Sequence, residues 1–87
     1  MKYIVFRTKD GRQEIPIIFP NHLVHLEVAK AMSKIVGTSR IVAAGEFSSL
    51  EIEANCHGKS STIGVKSRGK EDERLIAAFD YVFGYVR

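Results

Sequence analysis

The chain of 87 residues has no tryptophan, one cysteine and two prolines, and no apolar run reaches the ~18–20 residues of a membrane helix. A single cysteine excludes a disulfide framework within one chain and is typical of a reducing compartment, so we expect a cytoplasmic protein. The N-terminus lacks the pattern of a signal peptide. The net charge of +3 is too small to indicate nucleic acid by itself.

The composition is that of one small folded domain. Apolar residues make up 45% and charged residues 26% of the chain, and both values are ordinary for a folded protein. The apolar share is too high for a disordered tail. A chain this short is below the usual size of one domain, so we expect a single domain over residues 1–87.

The first 19 residues predict a β-hairpin. Residues 2–8 and 13–19 are rich in β-forming types and flank Asp10-Gly11, a strong turn signal. A two-residue loop places Arg7 opposite Glu14 as an ion pair, and the other face receives five apolar side chains: Ile4, Phe6, Ile15, Ile17 and Phe19. Pro16 has no N–H donor and falls opposite a residue of the first strand. Either a bulge shifts the pairing, or the second strand lies at a sheet edge.

A helix should follow over residues 22–36. Asn21 is a favourable N-cap and Gly37 supplies a C-terminal stop. The 3.6-residue period predicts a core stripe made of Val24, Val28, Ala31, Met32 and Ile35. Leu23 and Leu26 fall among the polar positions. Either a loop covers them or another subunit contacts them.

Three strands should come next, over residues 40–47, 50–57 and 61–67. A two-residue turn at Gly58 and Lys59 pairs Ala54 with Ile63 and gives a self-consistent meander. Gly45 and the two alanines before it indicate that another element approaches the first of these strands closely.

The last predicted element is a helix over residues 70–85. Its first turn carries three acidic residues that complement the helix dipole, Glu71, Asp72 and Glu73. Its core stripe comprises Leu75, Ile76, Phe79, Val82, Phe83 and Val86. A second, semi-apolar stripe beside it is interpreted as an oligomer contact and consists of Ala78, Tyr81 and Tyr85.

The predicted element order is β-β-α-β-β-β-α. This order favours an α+β fold in which a mostly antiparallel sheet carries two helices on one face. The core is thin for a monomer of this size, which favours a homo-oligomer, with a dimer preferred.

No residues form a recognisable catalytic or cofactor-binding motif. Gly58-Lys59-Ser60 resembles the end of a P-loop, but position 53 is Glu where that motif needs glycine, and a strand follows where it needs a helix. We therefore assign no catalytic residue and no cofactor. An enzyme whose site is completed across an oligomer interface stays open as a further class.

The histidines and the cysteine are the residue types of a zinc site. Cys56 and His57 are adjacent in a predicted strand, so their side chains leave opposite faces and at most one can join His22 and His25. We therefore assign no metal. Cys56 shares the inward parity of its strand and should be a buried, slowly reacting thiol.

Four basic residues and no acidic residue lie between His57 and Glu71: Lys59, Lys66, Arg68 and Lys70. Basic clusters neutralise phosphates, so nucleic-acid binding through this stretch is the alternative function.

Four segments resemble small uncharacterised proteins encoded by phages and prophages. They are GRQEIPIIFPNHLVH at residues 11–25, AGEF at 44–47, CHGKS at 56–60 and GVKSR at 64–68. The resemblance implies a small accessory protein in a bacterial cytoplasm, and it implies no activity. The leading hypothesis is a non-enzymatic interaction module that self-associates through the last helix, helped by Leu23 and Leu26, with a host or phage protein as a further partner. Its candidate interface residues are Leu23, Leu26, Ala78, Tyr81 and Tyr85.

Overall fold

A computed structural model of the chain describes residues 1–34, 39–49 and 54–83. Its elements in order are β1 (Lys2–Thr8), β2 (Glu14–Phe19), α1 (His25–Ser33), β3 (Ser39–Ser49), β4 (Ala54–His57), β5 (Lys59–Ser60), β6 (Val65–Lys66) and α2 (Lys70–Phe83). An antiparallel sheet has the strand order β2-β1-β3-β4, and β5-β6 form a separate two-stranded hairpin. The predicted α+β class with a mostly antiparallel sheet is confirmed.

The N-terminal hairpin has the predicted register. Arg7 is the partner of Glu14, and the two side chains form an ion pair of 2.6 Å between Nη2 and Oε2. Gly11 adopts a positive φ of 75°, and the N–H of Thr8 donates to the carbonyl of Gln13 at 2.9 Å. The register is therefore as predicted, but the two-residue loop is wrong, because four residues, 9–12, lie between Thr8 and Gln13.

Pro16 has no N–H to donate, and it lies opposite Val5, as in the predicted pairing. The sheet order places β2 at an edge, so the second of the two predicted alternatives is confirmed. The register between β1 and β2 is unbroken. An irregularity does occur on the other side of β1, between Val5 and Phe6 in its pairing with β3.

The two helices contact opposite faces of the sheet, so the prediction that they share one face is wrong. Tyr3 and Val5 pack with Ile76 of α2, whereas Ile4 and Phe6 pack with Ala29 of α1. The physical reason is visible in β1, where four consecutive residues (3–6) are at most 2% exposed. A strand buried on both faces is a continuous apolar run rather than an alternating one.

Helix α1 begins three residues later than predicted. His25 is its first residue, and the N-cap, Val24, makes no side-chain capping hydrogen bond. Asn21 instead lies in a turn in which the N–H of Leu23 donates to the carbonyl of Pro20 at 3.1 Å. The prediction that Asn21 caps this helix is therefore wrong, because the turn after the proline uses the residues that the cap would need.

The buried face of α1 is rotated relative to the predicted stripe. His25 and Ala29 are its buried residues, with Val28 and Met32 partly buried beside them. Val24 and Ala31 are exposed, so their assignment to the core is wrong, and Ile35 lies outside the described residues. The polar His25 therefore lies on the face that meets the sheet, where its Nε2 is 3.0 Å from the carbonyl of Gly45.

Close approach at Gly45 confirms the prediction made from the small residues of β3. A Cβ atom at this position would collide with the carbonyl oxygen of His57 in β4, and Ala43 and Ala44 are fully buried. Any larger residue at position 45 would push the two strands apart.

The predicted turn at Gly58 and Lys59 is wrong. Gly58 does adopt a positive φ of 79°, but the chain continues into β5 and reverses only over residues 61–64. The N–H of Gly64 closes this turn on the carbonyl of Ser60 at 2.9 Å. Ile63 lies in this turn. Because β4 pairs with β3 and β5 pairs with β6, Ile63 has no partner in β4.

Helix α2 begins at Lys70, as predicted. Ile76 is buried and Leu75 is half-buried against the sheet, which confirms the first part of the predicted core stripe. The remaining predicted core positions, from Phe79 onward, lie outside the residues whose side chains are described. Within the described ranges, neither helix is long and apolar enough to cross a membrane.

Candidate functional site

A buried polar network surrounds Asp72, in the first turn of α2. Its side chain is 0% exposed. Oδ2 accepts hydrogen bonds from the phenol of Tyr3 at 2.5 Å and from the backbone N–H of Arg68 at 2.9 Å, and Oδ1 accepts one from Nε of Arg68 at 2.7 Å. Ser67 Oγ lies 2.6 Å from the phenol oxygen and accepts the N–H of Gly69. The network therefore fixes the start of α2 onto β1.

The guanidinium of Arg68 extends this network to the hairpin. It donates to both carboxylate oxygens of Glu14, at 2.8 and 3.1 Å, and to Glu71 at 3.1 Å. Glu14 also accepts from Arg7. Hydrogen bonds from Arg68 and then Arg7 lower the pKa of Glu14 to about 2, against the opposing effect of desolvation.

The same contacts keep the other members in their ordinary protonation states. Burial and the hydrogen bond to Asp72 raise the pKa of Tyr3, so the phenol keeps its proton and donates it. The hydrogen bonds to Glu14 raise the pKa of Arg68. Each charged side chain of this network has a partner of opposite charge, so the arrangement is a structural anchor between β1, β2 and α2.

The structure separates the four basic residues of the predicted nucleic-acid stretch. Arg68 is engaged by three carboxylates in the anchor. Lys70 is the exposed first residue of α2. Lys59 and Lys66 are direct cross-strand partners on the β5-β6 hairpin, and both are exposed. Only these last two are brought together as neighbouring lysines.

A cleft of ≈ 260 Å³ lies beside this hairpin. Its polar lining comes from Lys2, Glu46, His25 and the segment 59–62. Nζ of Lys2 donates to the carbonyl of Leu23 at 2.9 Å. His25 Nε2 lies 3.0 Å from the carbonyl of Gly45, so this ring nitrogen must carry the hydrogen.

Sequence reasoning missed this cleft. Lys2 and His25 are far from residues 59–62 along the chain, and only the sheet and the crossing of α1 bring the three together. No short-range pattern carries such a contact. A local indication of the cleft is His25, a polar residue on the face of α1 that packs on the sheet. From the sequence, His25 is interpreted only as a candidate metal ligand.

An apolar surface is formed at the start of α1. Leu23, Val24 and Leu26 are 37%, 39% and 39% exposed, and we call them the α1 apolar surface. Ala78 on α2 is also exposed. The side chain of Tyr81 and the whole of Tyr85 lie outside the described residues. Because α1 and α2 contact opposite faces of the sheet, Ala78 is not part of the α1 apolar surface.

Cys56 is buried, as predicted. It is 4% exposed, and desolvation raises the pKa of its thiol to about 11. Its backbone N–H donates to Glu73 Oε2 of α2 at 3.0 Å, so the strand around it is tied to the helix. Among the described residues, no three His, Cys, Asp or Glu side chains are grouped as metal ligands.

Comparison with protein-family models, with curated proteins and with solved structures gives no match. The resemblance to phage-encoded proteins therefore stays a prediction. Function must be inferred from the chemistry of the described surfaces alone.

Proposed function

We propose that this chain is a non-enzymatic protein-interaction module that forms a homodimer through the α1 apolar surface. The observation that supports the proposal is the exposure of Leu23, Val24 and Leu26, each above a third. Single exposed apolar residues are normal on protein surfaces. Three large ones within four positions form a continuous apolar element, which is a feature of contact sites.

A two-fold dimer needs one self-complementary patch on each subunit. Completing the burial of three side chains that are already about 60% buried contributes about 2 kcal/mol per subunit, so about 4 kcal/mol per dimer. Association costs an estimated 4–15 kcal/mol in lost freedom. These three side chains alone therefore do not hold a dimer together. A micromolar dissociation constant needs about 8 kcal/mol net, so the interface must bury neighbouring surface as well.

The α2 stripe belongs to a second, separate contact within this proposal. Ala78 lies on the helix that packs on the opposite face from α1. Tyr81 and Tyr85 complete the stripe by helical spacing. Two self-complementary patches on opposite faces build assemblies larger than a dimer, whereas one patch closes at two subunits.

Sedimentation velocity over a range of about 5–200 µM tests the α1 surface, because weak interfaces act at micromolar concentrations. Leu23→Glu with Leu26→Glu should abolish concentration-dependent dimerisation. The control is Ala31→Glu, which adds one negative charge at an exposed apolar position of α1 outside the surface, and its matched partner is the single variant Leu26→Glu. A wild-type protein that stays monomeric throughout removes the proposal.

The α2 contact is tested separately with Tyr81→Glu and Tyr85→Glu in one variant. A loss of species larger than a dimer, with the dimer retained, supports two interfaces. An unchanged sedimentation profile limits self-association to the α1 surface. Circular dichroism of each variant shows whether it is folded at the concentrations used.

The proposal also places the module in a bacterial cytoplasm, with a host or phage protein as a further partner. It is supported by the resemblance at residues 11–25 and by the buried thiol of Cys56, which suits a reducing compartment. Affinity purification of the tagged chain from bacterial cells tests it. Recovery of only the chain itself would restrict the partner to a second copy.

A further inference from the structure

The β5-β6 hairpin carries a charge arrangement that lowers its own stability. Lys59 and Lys66 are direct partners on a ladder of only two residue pairs. Like charges opposite each other in an antiparallel pair are destabilising. Neither lysine forms an ion pair within residues 1–34, 39–49 and 54–83. A locally unfavourable arrangement without compensation inside the chain is typical of a functional site.

We propose that the hairpin and the adjoining cleft form a binding site for a phosphate group. Lys59 lines the cleft, and Lys2 lines it as well. Nζ of Lys2 donates to the carbonyl of Leu23 and forms no ion pair within the described residues. A phosphate bound between these lysines would attract each ammonium group and so offset the repulsion between them.

The charges around the cleft favour an anion over a cation. Lys2 and Lys59 line it together with one carboxylate, Glu46, which is the cross-strand partner of Lys2. Lys66 adds a further positive charge beside Lys59. The formal sum of these four groups is +2. A divalent cation would find only one carboxylate here, which is too few for an oxygen-ligand site.

The same cleft offers neutral donors for the phosphate oxygens. Ser60, Ser61 and Thr62 line it, and the Oγ of Ser60 lies 3.2 Å from the Oγ1 of Thr62. The backbone N–H groups of residues 61–63 donate to no group in the part of the chain that the structure describes. Hydroxyls and free amides next to lysines are the groups that proteins present to phosphate oxygens.

The phosphate could belong to a nucleic-acid backbone or to a phosphorylated small molecule. Both sources present the same charged oxygens to Lys59 and Lys66. Three probes separate them: inorganic phosphate, adenosine monophosphate and a short oligothymidylate. The oligonucleotide can contact both lysines with successive phosphates, whereas the two small probes can use only one phosphate.

The test is a titration of the wild-type protein with each probe at low salt, followed by nuclear magnetic resonance. At least one probe should shift signals of residues 59–66. Lys59→Gln with Lys66→Gln should weaken that binding at least tenfold, because two charge contacts are lost. The double variant should melt no lower than the wild type, since it removes a repulsion, and this keeps the comparison valid.

Two lysine controls define the site. Lys9→Gln removes an exposed lysine at the other end of β1, seven residues and about 23 Å from Lys2. Lys70→Gln removes a basic residue of the same sequence stretch that starts α2. Both should bind within about twofold of the wild type, because neither lysine lines the cleft or lies on the β5-β6 hairpin.

The outcomes decide both the site and the source. Oligothymidylate binding at least tenfold tighter than adenosine monophosphate, with a log–log salt slope near about −1.4 for two contacts, assigns the site to a nucleic-acid backbone. Comparable affinities assign it to a phosphorylated small molecule. Absence of binding for all three probes, or a loss below tenfold in the double variant, overturns the proposal.

Discussion

Asp72 and Glu71 are adjacent carboxylates that accept from the same guanidinium, and we predict very different effects for their amide variants. Asp72→Asn should lower the free energy of unfolding by about 3 kcal/mol. Glu71→Gln should lower it by less than about 0.5 kcal/mol. Both lie in the first turn of α2 and both lose the same favourable interaction with the helix dipole. The comparison therefore isolates burial, since their side chains are 0% and 63% exposed.

The magnitude follows from the contacts of Asp72. Its carboxylate accepts three hydrogen bonds, from Tyr3 and twice from Arg68. Asparagine keeps the shape, but its NH₂ group must then face at least one of these donors. Breaking a buried ion pair costs about 3–5 kcal/mol, and we take the lower end because Arg68 keeps Glu14 as a partner. That loss is a large part of the ~5–15 kcal/mol that holds a small domain folded.

Urea unfolding followed by circular dichroism at neutral pH measures both variants, by linear extrapolation with a shared slope. Tyr3→Phe is an intermediate case that removes one donor and should cost about 1–2 kcal/mol. If Asp72→Asn proves no more destabilising than Glu71→Gln, the buried network does not anchor α2 and the reasoning is refuted.

Three further predictions concern other parts of the described structure. The pKa of Glu14 is lowered from 4.5 to about 2, so its stabilisation is complete above 4.5 and lost as the pH falls through about 2. Glu14→Gln should therefore cost about 1–2 kcal/mol at neutral pH, allowing for partial solvent access, and the gap in urea midpoint should close toward pH 2. Cys56 should react with maleimide only slowly in the native protein, and stoichiometric labelling within about a minute would contradict its burial. Lys66→Glu should place opposite charges across the β5-β6 hairpin and stabilise the protein by about 0.2–1 kcal/mol. A lower melting temperature for this variant would argue against the register.

Local signals were enough to predict the N-terminal hairpin down to its residue pairs. Asp10-Gly11 restricts the turn, and the pairing of Arg7 with Glu14 fits the alternation on both strands. The same kind of signal located the start of α2 and the burial of Cys56. In each case the residues that determine the structure are close in sequence. Contacts with distant residues therefore did not change the local preference.

The anchor and the cleft could not be predicted in this way. Tyr3 and Asp72 are separated by 69 positions, and Glu14 and Arg68 by 54. Read along the chain, Asp72 is one of three acidic residues in a helix start, and Arg68 is one of four basic residues in a stretch. Which of them is buried depends on the face that α2 presents to β1, and helix periodicity alone does not fix the partner.

The misplacement of the helices has a related cause. A strand can be buried on both faces, or it can lie in a sheet that is buried on one face only. The hydrophobic patterns of these two kinds of strand differ at only a few positions. An alternating pattern assigns only every second residue of the run from Tyr3 to Phe6 to the core, although all four side chains are buried. The apolar stripes of α1 and α2 carry no information about which side of the sheet they meet.

Pro16 has a consequence for how copies of this chain can meet. The outer edge of β2 exposes backbone groups that could pair with a strand from another molecule. With its nitrogen directed away from β1, Pro16 leaves a gap in the donors of that edge midway along a six-residue strand. A strand added there would lose a hydrogen bond at its centre, so open-ended growth by strand addition is disfavoured. Copies of this chain should therefore meet through side-chain surfaces such as the α1 apolar surface, with the outer edge of β2 left unpaired.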